Sequence, residues 1–254
     1  MMARRTLFTP LRVATLFTAA FIWLVSNSPV LAQSLSVDLG PDGTLTGRVV
    51  QLLLLITVLS LAPSILIVMT SFTRIIIVLS LLRSALGTQQ TPPNVVLISL
   101  ALFLTGFIMA PTLQAAWQQG IEPLINEEIE PAEALPAATA PFRTFMLANT
   151  REKDLQLFVD AASANQPETA DEIPLTSLIP AFVISELKRA FEIGFLIYIP
   201  FIVIDLVIAS ILMSMGMMML PPVLISLPFK IIFFVLVDGW HLLAGSLMQS
   251  FTAS

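Results

Sequence analysis

Two groups of residues have types and spacings that could do chemistry. Five of the eleven methionines fall within seven residues, Met213, Met215, Met217, Met218 and Met219, with Gly216 among them and Pro221-Pro222 directly after. Thioether sulfur is a soft ligand suited to Cu(I), and an unbranched, flexible side chain also suits a surface that must close around variable shapes. With no Cys and a single His, His241, far along the chain, adaptable packing is preferred here over a copper site. Asp205 and Lys230 form the second group. If the apolar segments around them make an antiparallel hairpin turning near Met218, Asp205 lies 13 residues before the turn and Lys230 lies 12 after. Opposite charges at one depth can offset part of each other's desolvation. A structural ion pair, a proton-relay or substrate site, and a contact with another subunit all fit.

Glu186, Lys188, Arg189 and Glu192 follow helical spacing, with Glu186–Arg189 and Lys188–Glu192 as i,i+3 and i,i+4 neighbours. Such a pattern is ordinary for a solvated helix start. Glu186 is nevertheless kept with Asp205 and Lys230 as a candidate buried or assembly charge. Ser185 and His241 have no companions at triad-like positions, and the absence of Cys removes thiolate metal sites and cysteine nucleophiles. A non-catalytic protein without cofactor or metal is expected.

The elements that must position these residues are apolar. The 254 residues are 56% hydrophobic and only 11% charged, with a mean hydropathy of +0.91, whereas soluble domains average about 25% charged. Four blocks stand out: Leu52–Leu82, Val95–Met109, Phe195–Met219 and Val223–Leu247. As one helix the first would be about 46 Å long against a hydrocarbon core of about 30 Å, and the second only about 22 Å before Pro111. Prolines and charges inside such blocks are tolerated where they are buried in protein or line a cavity. Four kinked spans, or helices that mostly contact other protein, are both compatible with this pattern. The net charge of −5 is uneven: residues 112–180 hold eleven acids against three bases, a net of −8, and no basic stripe for nucleic acid exists.

The expected organisation is a cleavable signal at 1–32, a flexible mature start at 33–47, a first helical hairpin at 48–111, an acidic extracytoplasmic insertion at 112–180 and a second hairpin at 181–254. Arg4, Arg5 and Arg12 precede the apolar core Val13–Val25, and Val30-Leu31-Ala32 offers a cleavage site before Gln33. Phe142, Phe145, Met146, Leu155, Phe158, Val159 and Ala162 recur at helical spacing in the insertion, between arms at Glu127–Pro141 and Gln166–Pro174 expected to be flexible. Arg74 and Arg83 near the first connection favour a cytoplasmic side there, which returns the insertion to the outside, although Lys188 and Arg189 cut against a strict count.

Several strings, in order, resemble the FliP family of flagellar export-gate subunits. They are Pro180-Ala181-Phe182-Val183-Ile184-Ser185-Glu186-Leu187-Lys188-Arg189-Ala190-Phe191-Glu192-Ile193-Gly194, Pro200-Phe201 with Asp205, Met215-Gly216-Met217-Met218-Met219-Leu220-Pro221-Pro222, Leu227-Pro228-Phe229-Lys230 and Val237-Asp238-Gly239-Trp240. Phe72-Thr73-Arg74, Gln89-Gln90-Thr91-Pro92-Pro93-Asn94, and Phe145-Met146-Leu147 with Thr150-Arg151-Glu152 fit as well, so the likeness covers residues 48–251. The resemblance implies an all-α integral membrane protein of kinked hairpins raised partly out of the bilayer. It implies a ring of about five copies, closed with FliR, surrounded by FliQ and joined to other export-apparatus membrane proteins. The site would be the bacterial inner membrane at the flagellar basal body, where unfolded flagellar subunits pass through the centre. Met217, Met218 and Met219 would be the gasket that seals the closed pore. Virulence-secretion relatives are the nearest alternative, and tend to have Ser-Pro where this chain has Pro221-Pro222. Independent of the resemblance, a small-molecule or ion transporter using Asp205 and Lys230 remains an alternative.

Overall fold

Proline, glycine and Ser/Thr positions decide where the apolar runs break into helices. The structure, a computed structural model, describes residues 45–252 apart from 89, 163–168, 170, 171 and 218. The expected signal segment, and the mature start up to residue 44, lie outside the described residues. The chain divides into two units, Met1–Leu55 and Ile56–Ser254, and the contacts described below belong to the second. The helices are α1 (Leu45–Val68), α2 (Phe72–Leu86), α3 (Asn94–Ala116), α4 (Glu122–Ile125), α5 (Pro131–Asn149), α6 (Glu152–Ala162), α7 (Leu175–Ser214), α8 (Pro222–Leu236) and α9 (Gly239–Thr252), with a π-helical turn at Trp117–Ile121 between α3 and α4. No strand occurs among the described residues, and the all-α reading of the sequence holds.

The first apolar block is broken rather than continuous. At Met69-Thr70-Ser71 the Thr70 hydroxyl donates to the Ile67 carbonyl at 2.8 Å and accepts from the Phe72 N–H at 3.4 Å, filling the gap in the backbone ladder with a side chain. The helix α2 stops at Gly87, whose φ of 76° places it in the left-handed region that glycine enters without strain. Pro111 does not end the second block, as its position suggested. The run continues through α3, the π turn and α4 to Ile125, because a proline inside an apolar helix removes one backbone bond without ending the helix.

The third block also starts earlier than its hydropathy indicates. The helix α7 runs 40 residues from Leu175, through Pro180 and Pro200, and crosses the boundary expected at 180/181. Its length of about 60 Å is twice the hydrocarbon core. The fourth block is α8 and α9, bent by 63° at Asp238, with φ of 51°, a conformation that Asp tolerates better than most residues. Among the described residues, Asn94–Ile125 and Leu175–Ser214 are each long and apolar enough to cross a membrane, and the bent pair makes a third if it is one span.

Two cores hold these helices. One joins Ile75, Val78, Leu79 and Leu82 of α2 to Ala190 and Phe201 of α7, Phe234 of α8, and Leu243 and Leu247 of α9. The other joins Met69 and Met109 to Phe142 and Met146 of α5 and to Leu178 and Phe182 of α7. Residues 131–141, expected as a flexible arm, are instead the first half of α5. Tertiary packing overrides their prolines: α5 lies against the π turn so closely that a Cβ on Gly120 would sit 2.5 Å from the Ala138 nitrogen. Most of the second expected arm, Gln166–Pro174, lies outside the described residues, but Ile173 is buried and its carbonyl accepts from Arg143 at 2.7 Å.

Gly120→Ala therefore forces two backbones apart, and should destabilise the folded protein by about 1–3 kcal/mol or more. Gly106, where an added Cβ would meet nothing within 4 Å, is the control, and Gly106→Ala should leave stability unchanged or slightly raised. Thermal unfolding of detergent-extracted protein checks the contrast, and equal effects at the two sites would contradict it.

Candidate functional site

The methionine cluster caps a helical hairpin. The helix α7 ends with the Gly216 N–H bonded to the Met213 carbonyl at 3.1 Å and the Met217 N–H bonded back to Leu212 at 3.0 Å. With Gly216 at φ of 74°, this is a Schellman stop that satisfies the last carbonyls of the helix. Pro221, at φ −67° and ψ 116°, then leads into α8, whose first residue is Pro222, where the missing N–H costs nothing. Both ends of the connection are thus fixed by local chemistry. Between them the methionines face outward: Met217 is 43% and Met219 is 99% exposed. Met218 lies outside the described residues.

Asp205 and Lys230 come together at the base of this hairpin. The Lys230 ammonium lies 2.6 Å from Asp205 Oδ2 and donates to the Ala85 carbonyl of α2 at 3.2 Å. The other carboxylate oxygen accepts from the Ser226 hydroxyl at 2.6 Å. Lys230 and Ser226 are buried, whereas the Asp205 side chain is 36% exposed, so the ammonium is the more desolvated partner.

Glu186 belongs to a different cluster from the one its neighbours suggest. It is fully buried, not part of a solvated helix start, and its partner is Arg74, 112 residues earlier. Arg74 Nε donates to Glu186 Oε2 at 2.9 Å, and Nη2 reaches the other carboxylate oxygen. The remaining N–H groups go to Asn149 Oδ1 at 3.3 Å and to the carbonyl and hydroxyl of Ser250 at 3.1 and 2.9 Å. All five guanidinium donors are satisfied, and the Phe251 ring lies 3.6 Å below Cζ, a cation–π contact. By its place in the sequence Arg74 marks the first connection and its side of the membrane. It is instead sealed in the interior, and only Arg83, bonded to Asn94, stands near the connection. Lys188 and Glu192 do pair, at 3.3 Å, but both are well exposed, and such a pair contributes little.

Ser185, next to Glu186, is tied into a buried polar cluster. Its hydroxyl donates to Asp154 Oδ2 at 2.7 Å and accepts the Arg151 N–H at 3.0 Å. Burial opposes ionisation of Asp154, yet the Ser185 hydroxyl and Arg151 outweigh it and hold the carboxyl below its ordinary value. Ser185 and Glu186 thus clamp the α5–α6 joint onto α7. Among the described residues no group of three or more His, Asp or Glu side chains could hold a metal. The partners that sequence reasoning missed are Arg74, Asn149, Ser250, Ser226 and the Ala85 carbonyl. A basic residue inside a long apolar block is itself a signal for a buried acid, and Arg74 carried it.

Comparison with known proteins gives a consistent answer. The family model described as "FliP family" matches residues 55–247. A flagellar biosynthetic protein FliP of Caulobacter vibrioides is 60% identical over 234 residues, covering 92% of this chain and 88% of the relative. The protein of the same name from Bacillus subtilis is 60% identical over 202 residues, covering 80% and 91%. That from Aquifex aeolicus is 52% identical over 236 residues, covering 92% and 98%.

Two outcomes follow from the buried charges. Arg74→Ala leaves the buried Glu186 carboxyl without its partner and should cost about 3–5 kcal/mol, as should the reverse removal, while Arg74→Met with Glu186→Leu should lie closer to the parent than either single variant. Unfolding of the extracted protein measures this, and single variants as stable as the parent would contradict it. The folded-state pKa of Asp154 is depressed, so its contribution is present above the unfolded value of about 4 and is lost as pH falls through the folded one. Proteolysis within 150–162 should therefore accelerate on acidification, and Asp154→Asn should be susceptible at neutral pH with a flatter profile.

Proposed function

The chain belongs to the FliP family, and we propose that it is a pore-forming core subunit of the flagellar type III protein export gate, assembled in a ring of about five copies with FliR and FliQ in the bacterial inner membrane. Unfolded flagellar subunits cross at the axis, and residues 112–180 face the periplasm. The relatives' name, flagellar biosynthetic protein FliP, supports the pathway. The observation that carries the pore reading is the exposure of the methionine tip. Apolar side chains exposed together mark interaction surfaces, and Met213, Met215, Met217 and Met219, the last 99% exposed, stand exposed together at the end of a hairpin fixed on both sides. Around a ring, such tips meet at the axis and fill it with flexible thioether chains that fold aside for cargo of any sequence. Exposed apolar residues along α7, such as Phe195, Leu196 and Leu206, and along α3, such as Phe103 and Phe107, are the surfaces left for lipid and neighbouring subunits.

The triple replacement of Met217, Met218 and Met219 by Ala tests the pore reading. It removes side-chain bulk and leaves backbone and charge unchanged. The ring should still assemble on a native gel, and export of filament protein should persist, while cells leak small ions or dyes at rest. Failed assembly without a leak would mean that the methionines are packing residues, and an intact, tight ring would remove the gasket role.

A further inference from the structure

The polar cluster at the base of the methionine hairpin contains one residue that neither the ion pair nor the closure of the pore accounts for. Ser226 is completely buried and sits four residues before Lys230 on α8. Positions four apart share a helix face, so α8 presents a hydroxyl and an ammonium as a fork to one carboxylate. Asp205 Oδ1 takes the hydroxyl and Oδ2 the ammonium, each at 2.6 Å. A carboxylate held through both oxygens by two groups on one rigid helix has its plane fixed as well as its charge balanced. The hydroxyl has one proton. The Val223 carbonyl at 3.2 Å is its alternative acceptor, the local bond that a helical serine makes when nothing better is offered.

Fixing the carboxylate has a consequence at α2. The ammonium that it holds also donates to Ala85 O at 3.2 Å, one of the four carbonyls that the end of α2 leaves without a helical partner. A cation is favoured at that end by the helix dipole. The helices α2 and α7 run side by side in the same direction, as the Arg74–Glu186 pair and the Leu81–Gly194 contact advance together. The first stops at Leu86 while α7 continues to Ser214. The cluster thus lies where α2 gives out, and the hairpin projects beyond it.

We propose that Ser226 is a positioning residue: through Asp205 it delivers Lys230 to the end of α2, latching the base of the methionine hairpin so that only the segment beyond it is free to move. The latch itself stands on these contacts alone, while its link to closure rests on the function proposed above.

The chain has three lysines, Lys153, Lys188 and Lys230, so amine labelling of the full-length, detergent-extracted protein with mass-spectrometric readout reports the latch directly, with exposed Lys188 as internal reference. Ser226→Ala should raise labelling of Lys230 by about tenfold or more, the scale expected for loss of a bond to a charged group. Ser226→Cys, close in shape with a weak donor, should do the same without a packing defect. Asp205→Asn alone should also raise it, and adding Ser226→Ala to Asp205→Asn should change nothing further, because the serine acts through the aspartate. Unchanged labelling in Ser226→Cys, or an equal rise in both backgrounds, overturns the latch. Raised labelling should be accompanied by a resting ion leak in cells with Met217–Met219 intact. Raised labelling without a leak keeps the latch but overturns its part in closure.

Discussion

A single guanidinium organises this subunit. Arg74 lies between the two apolar cores, and its donors reach Glu186 on the long helix, Asn149 at the end of α5 and Ser250 on the last helix. Four segments distant in sequence therefore meet on one planar group. An isolated ion pair in such a place gains little over apolar packing, because desolvation consumes most of the Coulombic attraction. What distinguishes this one is completeness. The Ser250 hydroxyl donates to the Leu247 carbonyl, Asn149 donates onward to the Phe145 carbonyl, and no donor of the arginine is left over. Networks of that kind admit one geometry and penalise every other, so Arg74 fixes the relation of the insertion, the first hairpin and the C-terminal helix more sharply than apolar contact could. Apolar surfaces in a membrane gain little from each other that lipid does not also supply.

Close backbone approaches do the complementary work along the helices. A Cβ on Gly194 would lie 2.2 Å from Leu81, and one on Gly239 would lie 2.2 Å from the Phe234 ring. These glycines let α2 nest against α7, and let α9 fold back at the bend after α8. The prolines act differently. Pro111, Pro180 and Pro200 sit inside continuous helices, where each removes one backbone bond and leaves the path of the chain to tertiary packing.

Local information in the sequence was enough for whatever depends on counting residues across one turn. Asp205 and Lys230 are brought together by a hairpin whose two arms are nearly equal, and the Gly216 and Pro221-Pro222 signals that bracket the tip act within a few residues. The Arg74–Glu186 pair was not legible in this way, because the chain between them, a separation of 112 positions, passes through the rest of the first hairpin and an insertion whose docking no periodicity encodes. The same blind spot explains the misplaced helix starts. Hydropathy leaves Glu186, Lys188 and Arg189 outside the third apolar block, as a solvated helix start, whereas a buried acid with a partner elsewhere lets the helix begin further back, here at Leu175. Residues 131–141 read as an arm for a similar reason, since the close fit of Gly120 to Ala138 appears only once the two segments cross.

The two charge clusters differ in a way that fits a moving part on a fixed frame. Around Arg74 both partners are fully sealed and every donor is used. At the hairpin base Lys230 is buried but Asp205 is one-third exposed, and the contacts come from the hairpin itself and one carbonyl of α2. Beyond that level, between Met213 and Leu220, the described side chains are mostly exposed and the hydrogen bonds are local helix-end bonds. Local stability falls where buried contacts and protected hydrogen bonds become scarce. Burial and long-range hydrogen bonding therefore thin out from the arginine cluster, through the Lys230 cluster, to the described residues of the methionine tip. The gasket reading proposed above requires such a gradient: a tip as rigid as the core could not yield to an export substrate, and a base as loose as the tip could not return it to register.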